Sequence, residues 1–448
     1  MLQQSRSYQQ QAVIDSARVP SSTVPKTKEI PTVTTKQQIA EIASERDVHA
    51  AFSWLRAHER EILDSQMELA RVSAPPFGEQ ARTAWMLKKF REIGLDDVHA
   101  DELGSVFGTH RGSGREKQVV AVAAHIDTVF PAGTPIDIRK DKNGKIHGPS
   151  VSDNSSGVAA LLAIASSLVN CDVEHAHDII FIGDVGEEGE GDLRGMRHIF
   201  SVENKKNWSE RIAYTVVMDG NGHDTIVDQA LGSRRYEVTV YGKGGHSWAD
   251  FGEPNPIVIL ARALGEFYKT PIYDGADSRS SYNVGVISGG TSVNSIPESA
   301  TARIDVRSSV PAEMERIAEQ LRQCVVRAGM DEMVVPARQK GQQLGELSPG
   351  SVRVEIKQIG QRPAGKLPED CRILQVAKTV DAHLGIPSQM RLASTDANIP
   401  ISMGLEAITL GSGGSGGGAH TLKEWFDPAG REIALKRILL VLLALARE

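Results

Sequence analysis

Four apolar, strand-like runs in this chain each end within a few residues on side chains of metal-ligand type. VVAVAA (119–124) runs into His125 and Asp127, and DIIFIG (178–183) passes through a short turn to Glu187 and Glu188. YTVVM (214–218) stops on Asp219, and AITL (407–410) leads through a glycine run to His420. A fifth acid, Asp153, lies in GPSVSDNSSG just ahead of a helix-like stretch. Short continuous apolar runs read as strands buried on both faces, the habit of a parallel sheet covered by helices. An open α/β sheet binds its ligands at the carboxyl ends of its strands, which is where these residues fall. Two histidines with several carboxylates suit a pair of borderline metal ions such as zinc. The pattern predicts a two-metal hydrolase.

At 448 residues the chain exceeds what one core usually supports, so two domains are expected. Lys and Arg number 50 against 57 Asp and Glu, a net charge of −7, with no large basic block; this argues against a nucleic-acid partner. Cys171, Cys324 and Cys371 are far apart and lack CxxC spacing, which suggests neither a disulfide framework nor a thiolate metal site. The first 45 residues are rich in Gln, Ser, Thr and Lys, contain Pro20, Pro25 and Pro31, and have no apolar signal-like core, so a mobile extension is expected over residues 1–47. The most apolar stretch, IALKRILLVLLALA (433–446), is interrupted by Lys436 and Arg437 and is too short for a bilayer. It reads as a core helix, with no membrane partner and a cytoplasmic location expected.

Helical periodicity from about Val48 to Leu69 carries an apolar stripe that includes Trp54, Leu55, Ile62 and Leu69, and a second helix over 80–93 closes on Gly94. Strands and helices then alternate as in an α/β domain. After Gly232 the pattern changes. RRYEVTVYG (234–242) alternates like a half-exposed antiparallel strand, followed by a helix (256–268), strands at 281–288 and 300–308, a helix from Pro311 and a strand at 352–360. This β-α-β-β-α-β order is the ferredoxin-like arrangement. The expectation is therefore an α/β catalytic domain, 48–232 and 363–448, whose mostly parallel sheet is covered by helices. An α+β domain, 233–362, is inserted into it. The insertion explains how His420 joins ligands that lie far earlier in the chain.

Each residue has an ordinary competitor. Asp153 stands where a helix N-cap would, Asp219 could form the turn before Gly220, and the Glu187–Glu188 pair could be a solvated turn. Alternate residues of a strand share a face, so His125 could bind metal while Asp127 orients its imidazole. One of the paired glutamates could coordinate while the other moves the proton of the attacking water. Glycines 186, 189 and 191 would let that turn approach the metals. The joint placement of all five candidate ligands at one sheet edge decides for the metal site. Two motifs in the glycine run fail. GSGGSG (411–416) has no βα unit after it, and GGSGG (413–417) has no histidine beyond His420 to complete a serine triad.

Taken together, AAHIDTV, GPSVSDNSSG, GEEGEG, VMDG and GGGAHTLKEW resemble the M20 metallopeptidases: tripeptidase T-like aminopeptidases, dipeptidases, carboxypeptidase G2-like enzymes and aminoacylases. The resemblance spans about residues 55–445. It implies two zinc ions, with manganese or cobalt as alternatives. His125 and Glu188 would be terminal ligands, Asp153 would bridge, and Asp219 and His420 would complete the set. Asp127 would be the orienting acid and Glu187 the general base. The inserted domain resembles the family's lid, which implies a homodimer through it. His246 in GKGGHSW would stabilise the oxyanion, often in the partner's site. Asn283 in SYNVGV and Arg362 in QRPAG match substrate-contacting positions, Arg362 with the fork geometry that grips a carboxylate. Arg307 reads as structural, and STDAN (394–398) resembles a loop near the site with no role assigned. Aspartate at 219 goes with aminopeptidases and dipeptidases of small peptides. The alternatives are an N-acyl-amino-acid deacylase or carboxypeptidase using the same site and, in another class, a non-catalytic binding protein retaining the fold.

Overall fold

The computed structural model describes residues 36–114, 118–272, 275, 279–332 and 352–447. Along the chain, the strands β1 (Asp96–Ala100), β2 (Val106–His110), β3 (Val119–His125), β4 (Asp178–Asp184), β5 (Ile212–Met218) and β6 (Thr225–Ala230) come first. Four more follow, β7 (Gly232–Tyr241), β8 (Ser280–Gly289), β9 (Ser299–Ser308) and β10 (Arg353–Arg362), and then β11 (Gly365–Lys366), β12 (Gln389–Ala393) and β13 (Glu406–Leu410). The larger sheet runs β1-β2-β4-β3-β5-β13-β6-β11, with β12 also on β6. Its centre, β4-β3-β5-β13, is parallel and consists of the four apolar runs the sequence marks. Every residue of β3 and β4 is buried, as apolar strands covered on both faces must be.

The edges of this sheet are not legible in the sequence. β1 and β2 extend it antiparallel on one side, while β6 joins β13 antiparallel on the other. These strands are short and mixed in polarity, so no apolar run announces them.

The longer helices are α1 (Lys36–Ser44), α2 (Arg46–Ala57), α3 (Glu59–Ala70), α4 (Gln80–Ile93), α5 (Ser155–Asn170), α6 (Pro256–Phe267), α7 (Pro311–Glu332), α8 (Arg372–Leu384) and α9 (Arg431–Ala446). The stretch expected as one helix from Val48 is two, broken at His58, whose backbone leaves the helical region and whose Nδ1 lies 2.8 Å from the Trp54 carbonyl. The expected extension to residue 47 is also corrected in part. Residues 36–44 form a helix, and its Ile39 is fully buried in the main core with contacts to α8 and α9. Residues 1–35 lie outside the described residues. The helix α9 is buried almost throughout, and among the described residues no helix is long and apolar enough to cross a membrane. Its two buried arginines reach other helices, Arg437 with the fuller set of bonds. Arg431 donates to Gln66 at 2.5 Å, and Arg437 grips Asp381 of α8 at 2.6 and 2.7 Å. The three cysteines are unpaired.

Strands β7–β10 build a separate antiparallel sheet in the order β8-β9-β7-β10, with α6 and α7 packed on it. This is the ferredoxin-like order read from the sequence. Along β7, Tyr236, Val238 and Val240 enter the helix-covered core while Arg235, Glu237 and Thr239 take the other face.

At the amino ends of the parallel strands sits a histidine chain. His175 Nδ1 lies 2.6 Å from the His177 carbonyl, which can only accept, so Nδ1 carries the proton. His175 Nε2 is then the acceptor for His110 Nδ1, 2.6 Å away. Burial, with His110 and Arg447 adding repulsion, pushes His175 down to about 4. Because the folded value lies below the unfolded one, stability is intact above about pH 6.5 and falls as the pH drops toward 4. The loss should approach about 3 kcal/mol at most. Thermal melts from pH 7 to 4 should show a shallower slope for His175→Asn than for the parent, and equal slopes would remove this account.

Candidate metal centre and active site

The carboxyl end of the parallel strands carries the site. His125 is the last residue of β3 and is 1% exposed. Its Nδ1 faces Asp127 Oδ1 at 3.5 Å, which turns Nε2 toward Asp153 Oδ1 at 3.3 Å. Asp127 does more than orient the ring. Its two carboxylate oxygens accept the backbone amides of Glu187 at 3.0 Å and Glu188 at 2.8 Å, fixing the turn after β4. Burial alone would raise Asp127, but the His125 imidazole and these amides hold it below the usual carboxylate range.

The competing role of Asp153 as a helix cap is taken by its neighbour. Asn154 Oδ1 accepts the Gly157 amide and caps α5, leaving the Asp153 carboxylate to face the histidines. Its Oδ2 lies 3.0 Å from His420 Nε2, so each oxygen of one carboxylate meets a different imidazole. His420 Nε2 also meets Glu188 Oε1 at 3.2 Å. One ligand atom each of His125, Asp153 and Glu188 lie within 4.8 Å of one another. Asp219 follows β5, its amide bonded to the Leu410 carbonyl of β13. Burial, with the nearby charge of Asp153 and Glu188, pushes its carboxyl up to about 6. Contacts with Asp153 and Glu188 drive His420 up to about 10. A group of carboxylates strong enough to do this is one that calls for a cation, and imidazole with carboxylate is the donor set zinc accepts. The residues fit a metal.

Glu187 is buried beside this cluster. Burial pushes it up to about 8, opposed by Arg362 and His125 and aided by Glu188 and Asp219. The glycines around it also serve the turn's own folding. A Cβ on Gly191 would sit 2.6 Å from the Gly186 backbone, so these glycines let the turn fold on itself, while Gly189 has open space around it.

The glycine run before His420 does require its small residues. A Cβ on Gly416 would come within 2.5 Å of Asn221 and 2.7 Å of Ser152. A small sheet formed by Ser415–Gly417, Trp425–Asp427, Ile146–His147 and Arg139–Lys140 places this loop against the Asp153 loop.

Four residues at the site escape a reading of the sequence. Glu424, fully buried, accepts the amides of Ser150 (2.9 Å), Ser152 (2.7 Å) and Asp153 (2.7 Å), so the His420 loop holds the Asp153 loop. It stands inside the motif GGGAHTLKEW, yet four residues past His420 nothing in the pattern marks its work. Glu424→Ala should leave three amides short of their acceptor and weaken metal binding about 10–100-fold, read by chelator competition. Glu424→Gln, which keeps an acceptor oxygen, should lose less; unchanged affinity in the alanine variant would sink the idea. Arg82 of α4, also buried, donates to the Ile126 carbonyl at 2.9 Å and to Ser150 Oγ at 3.1 Å, bracing both ligand segments. Asp184 and Asp396 are fully buried in the same region, and burial raises both, Asp184 to about 7. Asp396 belongs to the STDAN loop.

The three substrate candidates are placed unequally. Arg362 reaches the site, but its Nη1 lies 2.7 Å from Glu187 Oε1. His246 sits on a short lid ribbon, exposed, its Nδ1 accepting from the Trp248 amide. Asn283 is exposed on β8, and no described contact brings either to the cluster. Arg307 pairs with Asp305 at 2.7 Å, the structural role expected of it.

The model of peptidase family M20/M25/M40 matches residues 121–447. The chain belongs to that family. With it comes hydrolysis of amide or peptide bonds, the chemistry of its relatives. A succinyl-diaminopimelate desuccinylase of Psychrobacter is 27% identical over 286 residues, 58% of this M20-family chain and 69% of the relative. A tripeptidase of Staphylococcus aureus shares the fold with a TM-score of 0.69 at 21% identity, covering 87% of this chain and 99% of its own. A dinuclear metal-binding M20 peptidase of Bacillus subtilis superposes with a TM-score of 0.62 at 16% identity, over 87% and 99%.

Proposed function

We propose that this M20-family chain is a di-zinc hydrolase of small peptides, an aminopeptidase or a dipeptidase/tripeptidase. The observation that carries the two-metal part is Asp153, whose two oxygens each face a different histidine, the posture of a bridging carboxylate. His125 and Glu188 would serve as terminal ligands, with Asp219 and His420 completing the set; manganese or cobalt would fit the same donors. A metal pair held there would polarise the scissile carbonyl and lower the pKa of the attacking water.

Glu187 takes the proton. Its Oε1 is tied to Arg362, which leaves Oε2 to accept from the water and later donate to the leaving amine. Asp127 fixes the backbone of that base and the ring of His125 together. Substrate would enter between the catalytic sheet and the lid, where a cavity of about 640 Å³ is lined by Phe77, Gly189, Glu190, Arg235, Arg303 and Lys357. Asn283 on the lid is assigned to contact the substrate, and His246 to stabilise the oxyanion.

His246 reaches a site through a homodimer formed by the lid. In support, the lid exposes Trp248 and Phe251 on the loop beside His246, and Val286 and Ile287 on its edge strand β8. A reducing cytoplasm suits three unpaired cysteines.

A second reading, an N-acyl-amino-acid deacylase on the same site, is favoured by the desuccinylase relative. The test is metal analysis with turnover on di- and tripeptides and on N-acetylated amino acids. About two metals per chain with cleavage of free-amino peptides supports the aminopeptidase. Activity confined to blocked substrates moves it to the deacylase. A metal-free protein that zinc cannot activate removes both. Sedimentation of the same sample decides the dimer, which a monomer would exclude.

A further inference from the structure

Arg362 is the last residue of lid strand β10, yet its side chain is buried against the catalytic domain, 8% exposed. Its Nη1 donates to Glu187 Oε1 at 2.7 Å and to Ser394 Oγ at 3.1 Å, and its Nη2 donates to the Glu187 backbone carbonyl. The terminal edge of the guanidinium is thereby occupied mainly by Glu187, grasped at both side chain and main chain, with Ser394 sharing Nη1. Only Nε, buried, has no partner among the described residues.

Other lid contacts converge on the same loop. The Gln361 amide bonds to Asp192 at 3.0 Å, Arg235 donates to the Gly189 carbonyl, and Arg303 meets Glu190 at 3.4 Å. The loop bearing Glu187 is thus held from two sides, by Asp127 beneath it and by the lid above it.

We infer that Arg362 is the positioning residue for Glu187, fixing one carboxylate oxygen and the carbonyl so that the other oxygen faces the reacting water. It does this from the lid, so the aim of the base depends on where the lid is seated. This inference rests on the reading of Glu187 as the base.

The test compares a dipeptide with its C-terminal amide in the zinc-loaded parent, Arg362→Ala and Arg362→Lys. Misaiming a base by about an ångström costs on the order of 100-fold, so kcat should fall by about 10–100-fold for both substrates while KM changes less than about 3-fold. Millimolar guanidinium should restore part of the loss in Arg362→Ala. A rise in KM confined to the free-carboxylate dipeptide, with kcat intact, would overturn the inference and return Arg362 to the substrate.

A thermal cycle on the metal-free protein tests the pairing without any turnover. Melting temperatures of the parent, Arg362→Ala, Glu187→Gln and the double variant should show strong coupling, the double losing little more than the worse single. Additive losses would overturn the pairing. A parent that cleaves neither substrate fails the proposed function instead, and leaves this cycle to decide whether the two side chains act together.

Discussion

Exchanging Glu187 for glutamine is expected to cut turnover by about 10²–10⁴-fold while the chain still takes up its full complement of metal. Glutamine keeps the length and a carbonyl oxygen for Arg362, and the turn itself is held by the Asp127 carboxylate through the backbone amides of residues 187 and 188. What is lost is the ability to accept a proton. Glu188→Gln should differ, because that side chain faces His420 at 3.2 Å within the ligand cluster, and its loss should appear as released metal. Elemental analysis beside kcat separates the two. A Glu187→Gln variant retaining most of its activity would place the base elsewhere.

The largest expected loss of stability lies outside the site, at Asp381. Its carboxylate receives Arg437 Nε at 2.6 Å and Nη2 at 2.7 Å, with both side chains almost wholly buried between α8 and α9. Ser388 Oγ supplies a further bond at 2.6 Å. Removing one member of a buried pair strands the other charge, so Asp381→Ala should cost about 3–5 kcal/mol in denaturant unfolding. Replacing both members with apolar residues of similar volume should cost far less, since neither charge is then buried alone. If the single and double changes cost the same, packing at the helix contact would outweigh the stranded charge.

These residues also show how far the sequence can be read. The four parallel strands are legible because strands buried on both faces leave unbroken apolar runs. The lid is legible because its strands have one covered face and alternate. The candidate metal cluster follows from where the runs stop. Arg437 is legible only as an interruption in an apolar stretch, because its partner lies on a helix more than fifty residues away in sequence, and only the packing of α8 on α9 brings them together. Glu424 and Arg82 are hidden for a related reason. Both act on backbone groups, and a backbone amide or carbonyl leaves no signature in the letters of the residue that bears it. Asn154, rather than Asp153, capping α5 is a choice between adjacent residues of equal aptitude, settled by which side chain the histidines demand. Arg362 matches a family position, yet its grip on Glu187 depends on how the lid strand meets the loop after β4.

The place of β13 has a consequence for the order in which the protein can be made. This strand lies between β5 and β6, though β5 and β6 are synthesised long before it. Until residue 410 has emerged from the ribosome, the lid can fold while the catalytic sheet remains split, with the apolar edge of β5 unpaired. Such an edge is a template for pairing with other nascent chains. The final segment brings the missing strand, His420 and the buried helix α9 in quick succession. A truncated translation product or protease fragment ending before residue 405 should therefore aggregate, since residues 406–446 complete the sheet and the candidate site together.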